Sequence, residues 1–160
     1  MVKKEAKSFH TGTIKKTIMI KTTKQKAWRK ISNIAGLSSW VISVRDAGYC
    51  SKKKKGIGAI RKITFDDGNI VEEHVVDWET GKYFTYVATN GLPLRAYVAT
   101  ISIKPKTKKS ILVTWQSYLN SKKMSEKQFT EFVTSILSLY QISLKNLKGI
   151  LEKNQQTIKR

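Results

Sequence analysis

The sequence predicts one α+β domain, a curved antiparallel β-sheet of about seven strands closed over a cavity by a single long C-terminal helix. Three observations predict it. Six β-rich runs between residues 39 and 119 follow one another across short connections, the pattern of neighbouring antiparallel strands. A seventh run, TIKKTIMI at residues 13–20, lies ahead of them. From Ser125 onward the apolar residues change period, from alternation to a spacing of three and four.

After the first strand, Thr22 or Thr23 is placed to cap a short helix running through Trp28 to Ile31. A second helical turn is expected to end near Gly36. The six runs then fall at 39–45, 59–65, 70–76, 82–89, 94–104 and 110–119, with turn signals such as Asp67-Gly68-Asn69 and Asn90-Gly91-Leu92-Pro93 between them. Phe129, Phe132, Val133, Ile136, Leu137, Tyr140, Leu144, Leu147 and Leu151 form one stripe of the final helix, and Ser125 is its expected N-cap. Lys127 stands where a capping box is expected to place Glu or Gln. A coiled coil would share this stripe, but the meander needs a lid over its apolar face, so Leu137 and Tyr140 are expected to face inward. Residues 1–8 read as a basic tail, 9–155 as the domain and 156–160 as a second tail.

The 160 residues hold 31 Lys and Arg against 11 Asp and Glu, a net charge of +20. Such an excess favours anionic partners such as nucleic acid, anionic lipid or acidic proteins, although a generally basic proteome would produce the same solvated coat. The single cysteine, Cys50, excludes an internal disulfide and a Cys-based zinc site, and His10 and His74 have no metal-ligand spacing. Neither a metal nor a cofactor is implied. The first ten residues lack the apolar core of a signal peptide and no stretch approaches a membrane span, so a cytoplasmic setting is the default expectation.

The chain resembles the START-related superfamily (SRPBCC), which includes polyketide cyclases and the birch-pollen allergen, over nearly its whole length. Residues 56–63, GIGAIRKI, look like the family's glycine-rich turn leading into a strand with a basic residue, and Asp66-Asp67-Gly68 resembles its next hairpin. Residues 73–79, EHVVDWE, look like its E-x-V-x-x-W-D/E strand, followed by Tyr83 or Tyr86 where aromatics are usual. Asn90-Gly91-Leu92-Pro93 with Tyr97 looks like the family's G-L-P…Y approach to the sixth strand. The resemblance implies a helix-grip fold around an apolar cavity. A narrower similarity is to plant abscisic acid receptors, through Gln116-Ser117-Tyr118 and Gly91-Leu92-Pro93. The Gly-Leu-Pro here lies where those receptors carry their latch, and Gln116 replaces an acidic residue, so hormone reception is not implied.

Among residues that could carry chemistry, Gly56 and Gly58 read as a turn before a strand rather than a phosphate loop, because no helix N-terminus follows. A three-residue loop with a bulge at Gly68 would pair Phe65 with Asn69. That register sets Arg61 opposite Glu73, on one face with Ile63 and Phe65. The pair would anchor a ligand carbonyl or carboxylate; a purely structural ion pair, or a slip that turns both outward, is the alternative. Tyr86, Leu92, Pro93, Tyr97, Gln116, Tyr118, Phe132, Ile136 and Tyr140 complete the expected cavity lining. On the last strand the inner face is open between Ile111, Val113 and Trp115 on one side and Leu112, Gln116 and Tyr118 on the other. His74 has the parity opposite to Glu73. No Ser-His-Asp, Cys-His or paired-carboxylate arrangement is visible.

The function that follows is binding, transport or sensing of a hydrophobic small molecule such as a lipid, isoprenoid or polyketide-like compound. A cyclase, aromatase or dehydratase acting on a similar ligand is the enzymatic alternative. A third reading uses the basic surface. In a meander the loops at 66–69, 90–93 and 120–125 share one end, the cavity mouth. Lys52, Lys53, Lys54, Lys55, Lys104, Lys106, Lys108 and Lys109 fall at the opposite end, where they would form a patch for nucleic acid or anionic lipid.

Overall fold

The computed structural model describes residues 10–121 and 123–156. The tail expected at 1–8, and most of that expected at 156–160, lies outside them. Seven antiparallel strands form one sheet: β1 (His10–Ile20), β2 (Val44–Tyr49), β3 (Ile60–Phe65), β4 (Ile70–Glu79), β5 (Tyr83–Asn90), β6 (Ala96–Thr107) and β7 (Ser110–Ser121), ordered β1-β7-β6-β5-β4-β3-β2. The consecutive hairpins from β2 to β7 are the expected meander, and β1 returns to pair with β7 along its full length.

Alternation sets the two faces. On β6, Tyr97, Ala99, Ile101 and Ile103 are buried while the residues between them are half-buried. Irregularities in register bend the sheet around this buried face. One lies between Val75 and Asp77, where Val76 is the extra residue. It reverses the parity of the strand and returns Trp78 to the interior, against Trp28 and Phe84. Pro105 sits in β6 beyond the last residue that pairs with β5, where its missing N–H costs no ladder bond on that side.

α1 (Lys24–Ile31) is capped by Thr23, whose side chain accepts from Lys26 N, settling the choice between the two threonines. The second short helix differs from expectation. It is a single 3-10 turn, Leu37–Ser39, beginning after Gly36 instead of ending there, because Gly36 O accepts from both the backbone and the hydroxyl of Ser39. The strand expected at 39–45 is displaced with it. Ser43 adopts a φ of 63°, which breaks the extended run and delays β2 to Val44.

α2 (Glu126–Gln156) spans 31 residues, about 46 Å at 1.5 Å per residue. Ser125 caps it: its hydroxyl accepts from Gln128 N, and Gln128 Oε1 accepts from Ser125 N. The capping box is therefore closed by Gln128 at the third helical position, and Lys127 is not its partner. Phe129, Tyr140, Leu144, Leu147 and Leu151 are buried, and Phe132, Val133, Ile136 and Leu137 pack against the same core. Between helix and sheet lies the segment 32–43, with Ile34, Leu37, Trp40 and Val41 buried. Ser143 of α2, fully buried, accepts from Ile42 N and fixes this segment from above.

Two turn glycines test the geometry. Gly68 and Gly91 both have positive φ, but a Cβ on Gly68 meets open space, whereas one on Gly91 would stand 1.9 Å from Ile70 O. Gly68→Ala should cost about 1 kcal/mol, the conformational penalty alone. Gly91→Ala should cost several times more, on the order of 3 kcal/mol or above, because backbone has to move. Paired urea melts check this; equal losses would mean the 66–69 and 90–93 loops do not meet.

Candidate functional site

The strand pairings bring the polar residues together. Asp66-Asp67-Gly68 forms the three-residue loop, with Phe65 N donating to Asn69 O and Gly68 at φ 87°. Arg61 is then opposite Glu73, and both side chains point inward, 2% and 6% exposed. Glu73 Oε2 accepts from Arg61 Nε at 2.7 Å and lies 2.6 Å from Nη2, while Arg61 Nη1 donates to Ile34 O at 3.1 Å. The guanidinium also lies over the Tyr86 ring, 4.6 Å from its centroid. Burial is the largest single influence and opposes the arginine's charge, but Glu73, Tyr86 and Tyr97 together outweigh it, so its pKa lies above the ordinary value.

A chain of aromatic hydroxyls continues from this pair. Trp115 Nε1 donates to Tyr86 Oη at 3.0 Å, the Tyr97 and Tyr140 hydroxyls hydrogen-bond one another, and Trp115 stacks on Tyr140 with centroids 3.9 Å apart. Burial pushes the phenols of Tyr86, Tyr97 and Tyr140 well above the usual tyrosine range. They are neutral hydrogen-bonding groups, not bases.

Of the concavities in the structure, two bear on this cluster. An interior pocket of about 50 Å³ is lined by Arg61, Ile63, Phe65, Glu73, Tyr86, Leu92, Tyr97, Ile136 and Tyr140, together with Trp115, Leu37, Val41, Val44, Val71 and Leu139. At the open end of the sheet a groove of about 760 Å³ runs between the β5–β6 loop and the start of α2. Leu92, Pro93, Leu94, Met124 and Phe132 give it an apolar wall, and Arg95, Lys123, Gln128, Glu131 and Ser135 a polar rim. Leu92 belongs to both. The loops at 66–69 and 90–93 meet here, through Asn69 Nδ2 donating to Gly91 O, and Arg95 N donates to Asn120 O beside them.

Two expected lining residues are placed elsewhere. Gln116 and Tyr118 are on the outer face of β7, Tyr118 41% exposed, because Ile111, Val113, Trp115, Ser117 and Leu119 occupy the inner one. His74 is also on the outer face, bonded to Glu72. Gly56 and Gly58 precede β3 and no helix follows them; Gly58 N donates to Val75 O. Sequence reasoning leaves Trp115 as one of two alternatives, and it misses Leu37, Val41, Met124 and Ser135. The first two lie in a segment with no clean period, and the last two only join the groove because α2 starts beside the mouth.

The geometry is that of a helix-grip protein whose concave face ends in a polar cluster. The family model for polyketide cyclases, dehydrases and lipid transport matches residues 11–152, and the chain belongs to that family, within the SRPBCC superfamily. Family membership suggests a hydrophobic ligand. Solved structures agree in fold. XoxI from Bacillus cereus is 19% identical with a TM-score of 0.76, over 88% of this chain and 95% of that one. An uncharacterized protein from Bacillus thuringiensis is 19% identical at a TM-score of 0.75, over 88% and 98%. A protein from Nitrosospira multiformis is 14% identical at a TM-score of 0.72, over 91% and 99%. No curated protein matches the chain. No helix among the described residues is long and apolar enough to cross a membrane.

The buried phenols give an alkaline signature. Their pKa values are raised in the folded state, so their contribution is intact below the unfolded value near 10 and is lost as pH rises above it. Stability should therefore fall from about pH 10 upward. Part of the tyrosinate absorbance at 295 nm should appear only together with loss of near-ultraviolet circular dichroism. Complete tyrosine ionisation while that dichroism persists would show the cluster to be wet.

Proposed function

We propose that this protein carries or senses an apolar small molecule of lipid, isoprenoid or polyketide-like character, with its body in the mouth groove and one end in the interior pocket. The observation that carries the reading is the position of Leu92, an apolar wall shared by a roomy groove and a small, mainly apolar pocket that holds the Arg61–Glu73 pair. Carriage is favoured over cyclase or dehydratase turnover because the pocket's acid and base neutralise one another and its phenols are held protonated. Native mass spectrometry of freshly purified protein should reveal a co-purifying apolar compound. Leu92→Trp, which fills the junction, should lower its occupancy at least about tenfold without loss of fold. Unchanged occupancy would place the ligand elsewhere, and conversion of added ligand to a new mass would favour the enzyme.

A second reading is favoured by the concentration of lysine at one end of the sheet. The end opposite the mouth gathers exposed Lys52, Lys53, Lys54, Lys55, Lys104, Lys106, Lys108 and Lys109. Lys24 lies beside Gly81 there, and Lys148 donates to Met19 O. The mouth end is mixed, with Asp66, Asp67, Glu126 and Glu131 alongside Arg95, Lys123 and Lys127. The two lysine runs are not one compact cluster: the β4–β5 hairpin stands between them, and four strand spacings put them roughly 19 Å apart. They are spread as a band, suited to successive phosphates of a nucleic acid. A bilayer bound at this end would leave the mouth facing away from it, so nucleic acid is the better fit. Affinity for duplex DNA should fall steeply with salt, and Gln at positions 53, 54, 106 and 108 should flatten the log–log slope by about 0.9 for each phosphate that is no longer neutralised. Equal slopes for parent and variant, or a preference for anionic vesicles over DNA, would remove this reading.

A further inference from the structure

We infer that the interior pocket recognises a neutral hydroxyl at the buried end of its ligand and discriminates against the matching carboxylate. The inference rests on the apolar-ligand reading above and specifies the group that passes Leu92.

The hydrogen-bonding inventory of the pocket leads to it. Both contacts from Arg61 to Glu73 fall on Oε2, and among the described residues no donor is bonded to Oε1. Glu73 nevertheless lines the pocket, with 8% of its side chain exposed. A carboxylate oxygen with open surface towards so small a pocket accepts from whatever donor enters it. Arg61 has five N–H groups, of which Nε, Nη2 and Nη1 each already serve a partner, leaving one hydrogen on each terminal nitrogen. The Tyr86 hydroxyl already has partners in Trp115 and Tyr97, so the donors left to the pocket are the two remaining Arg61 hydrogens. The pocket thus offers one unfilled acceptor beside two donors. A hydroxyl, which donates once and accepts twice, answers both.

Charge and size exclude the competing ends. Arg61 and Glu73 cancel, so an incoming carboxylate finds no uncompensated cation, and it would be desolvated next to the Glu73 carboxylate. An ammonium meets Arg61 in the same way. An ether or methyl end leaves Oε1 without its donor. The volume of about 50 Å³ accommodates a small polar group and not a ring or chain. The apolar remainder stays in the groove.

The test is calorimetric titration of the protein with 1-undecanol, undecyl methyl ether and undecanoate at pH 8. The alcohol should bind about tenfold or more tightly than either competitor, since a site built to bond a hydroxyl rejects analogues lacking it. Glu73→Gln leaves Arg61 without its counter-charge and should shift the alcohol-to-carboxylate ratio towards undecanoate by about tenfold or more. Should that variant fold poorly, Arg61→Met with Glu73→Met keeps the volume without burying a lone charge, and it should bind alcohol and ether equally. Undecanoate or the ether matching the alcohol in the parent protein would overturn the inference while leaving the apolar-ligand reading standing. So would an alcohol-to-ether ratio that survives the double substitution. Failure of all three probes to bind would instead defeat the apolar-ligand reading, and this inference with it.

Discussion

A sheet bent around one helix must fill its concave side, and the rest of this molecule is arranged around how that is done. α2 supplies only one stripe, and it lies mainly along β1 and β7. The segment 32–43 fills part of the rest: Leu37 and Val41 line the pocket with Arg61, Ile63 and Glu73, and Trp40 packs against Trp115. That segment has little regular structure, so its carbonyls need partners away from water. Arg61 bonds Ile34 O and Asn146 reaches Trp40 O, while Ser143 takes the Ile42 N–H. A cation in the interior then requires an anion, which is Glu73. The buried ion pair is thus a consequence of plugging a curved sheet with irregular chain, and the few polar groups in the pocket wall are a consequence of the ion pair.

Much of this is legible in the residues because it depends on local rules. The turn at Asp66-Asp67-Gly68 has one economical geometry, and that geometry determines which residue faces which. It pairs Arg61 with Glu73 and puts Ile63 on the same face. The long stripe from Phe129 to Leu151 can only be one face of a helix. What stays hidden depends on interactions between distant segments. The inner face of β7 cannot be chosen from its own sequence, since both alternations place large side chains on one side. Pairing with β1 and β6, together with the stacking of Trp115 on Tyr140, decides it. The displaced start of β2 follows from a single residue, Ser43, in a backbone conformation that serine adopts only under tertiary constraint. The capping box is a smaller case: with Ser125 as N-cap, Lys127 is the second helical residue and Gln128 the third, the one whose side chain can reach back.

The candidate site is legible to the same extent and for the same reasons. Residues on strands with a fixed register, such as Tyr86 and Tyr97, line the pocket. The expectation of an open cavity is only half met, because the pocket is narrow and most of the free volume lies at the mouth. The reason is side-chain volume. Trp40, Tyr86, Trp115 and Tyr140 are among the bulkiest side chains available, and they pack stacked or tilted against neighbouring rings where smaller residues would have left space.

The shared wall at Leu92 also bears on time. A ligand whose polar end lies behind a leucine cannot dissociate by diffusion alone; the short loop between β5 and β6 has to swing first. That loop is pinned at Gly91, whose α-carbon faces the Ile70 carbonyl too closely for any side chain, and at Asn69, which holds the Gly91 carbonyl. In the proposed binding mode, residence time would be governed by the Gly91–Ile70 packing and the Asn69 hydrogen bond, both outside the binding surface, and affinity by the groups inside it. Substitutions in this fold can therefore change how long a molecule is held without changing which molecule is chosen, and a lineage could tune delivery and selectivity separately.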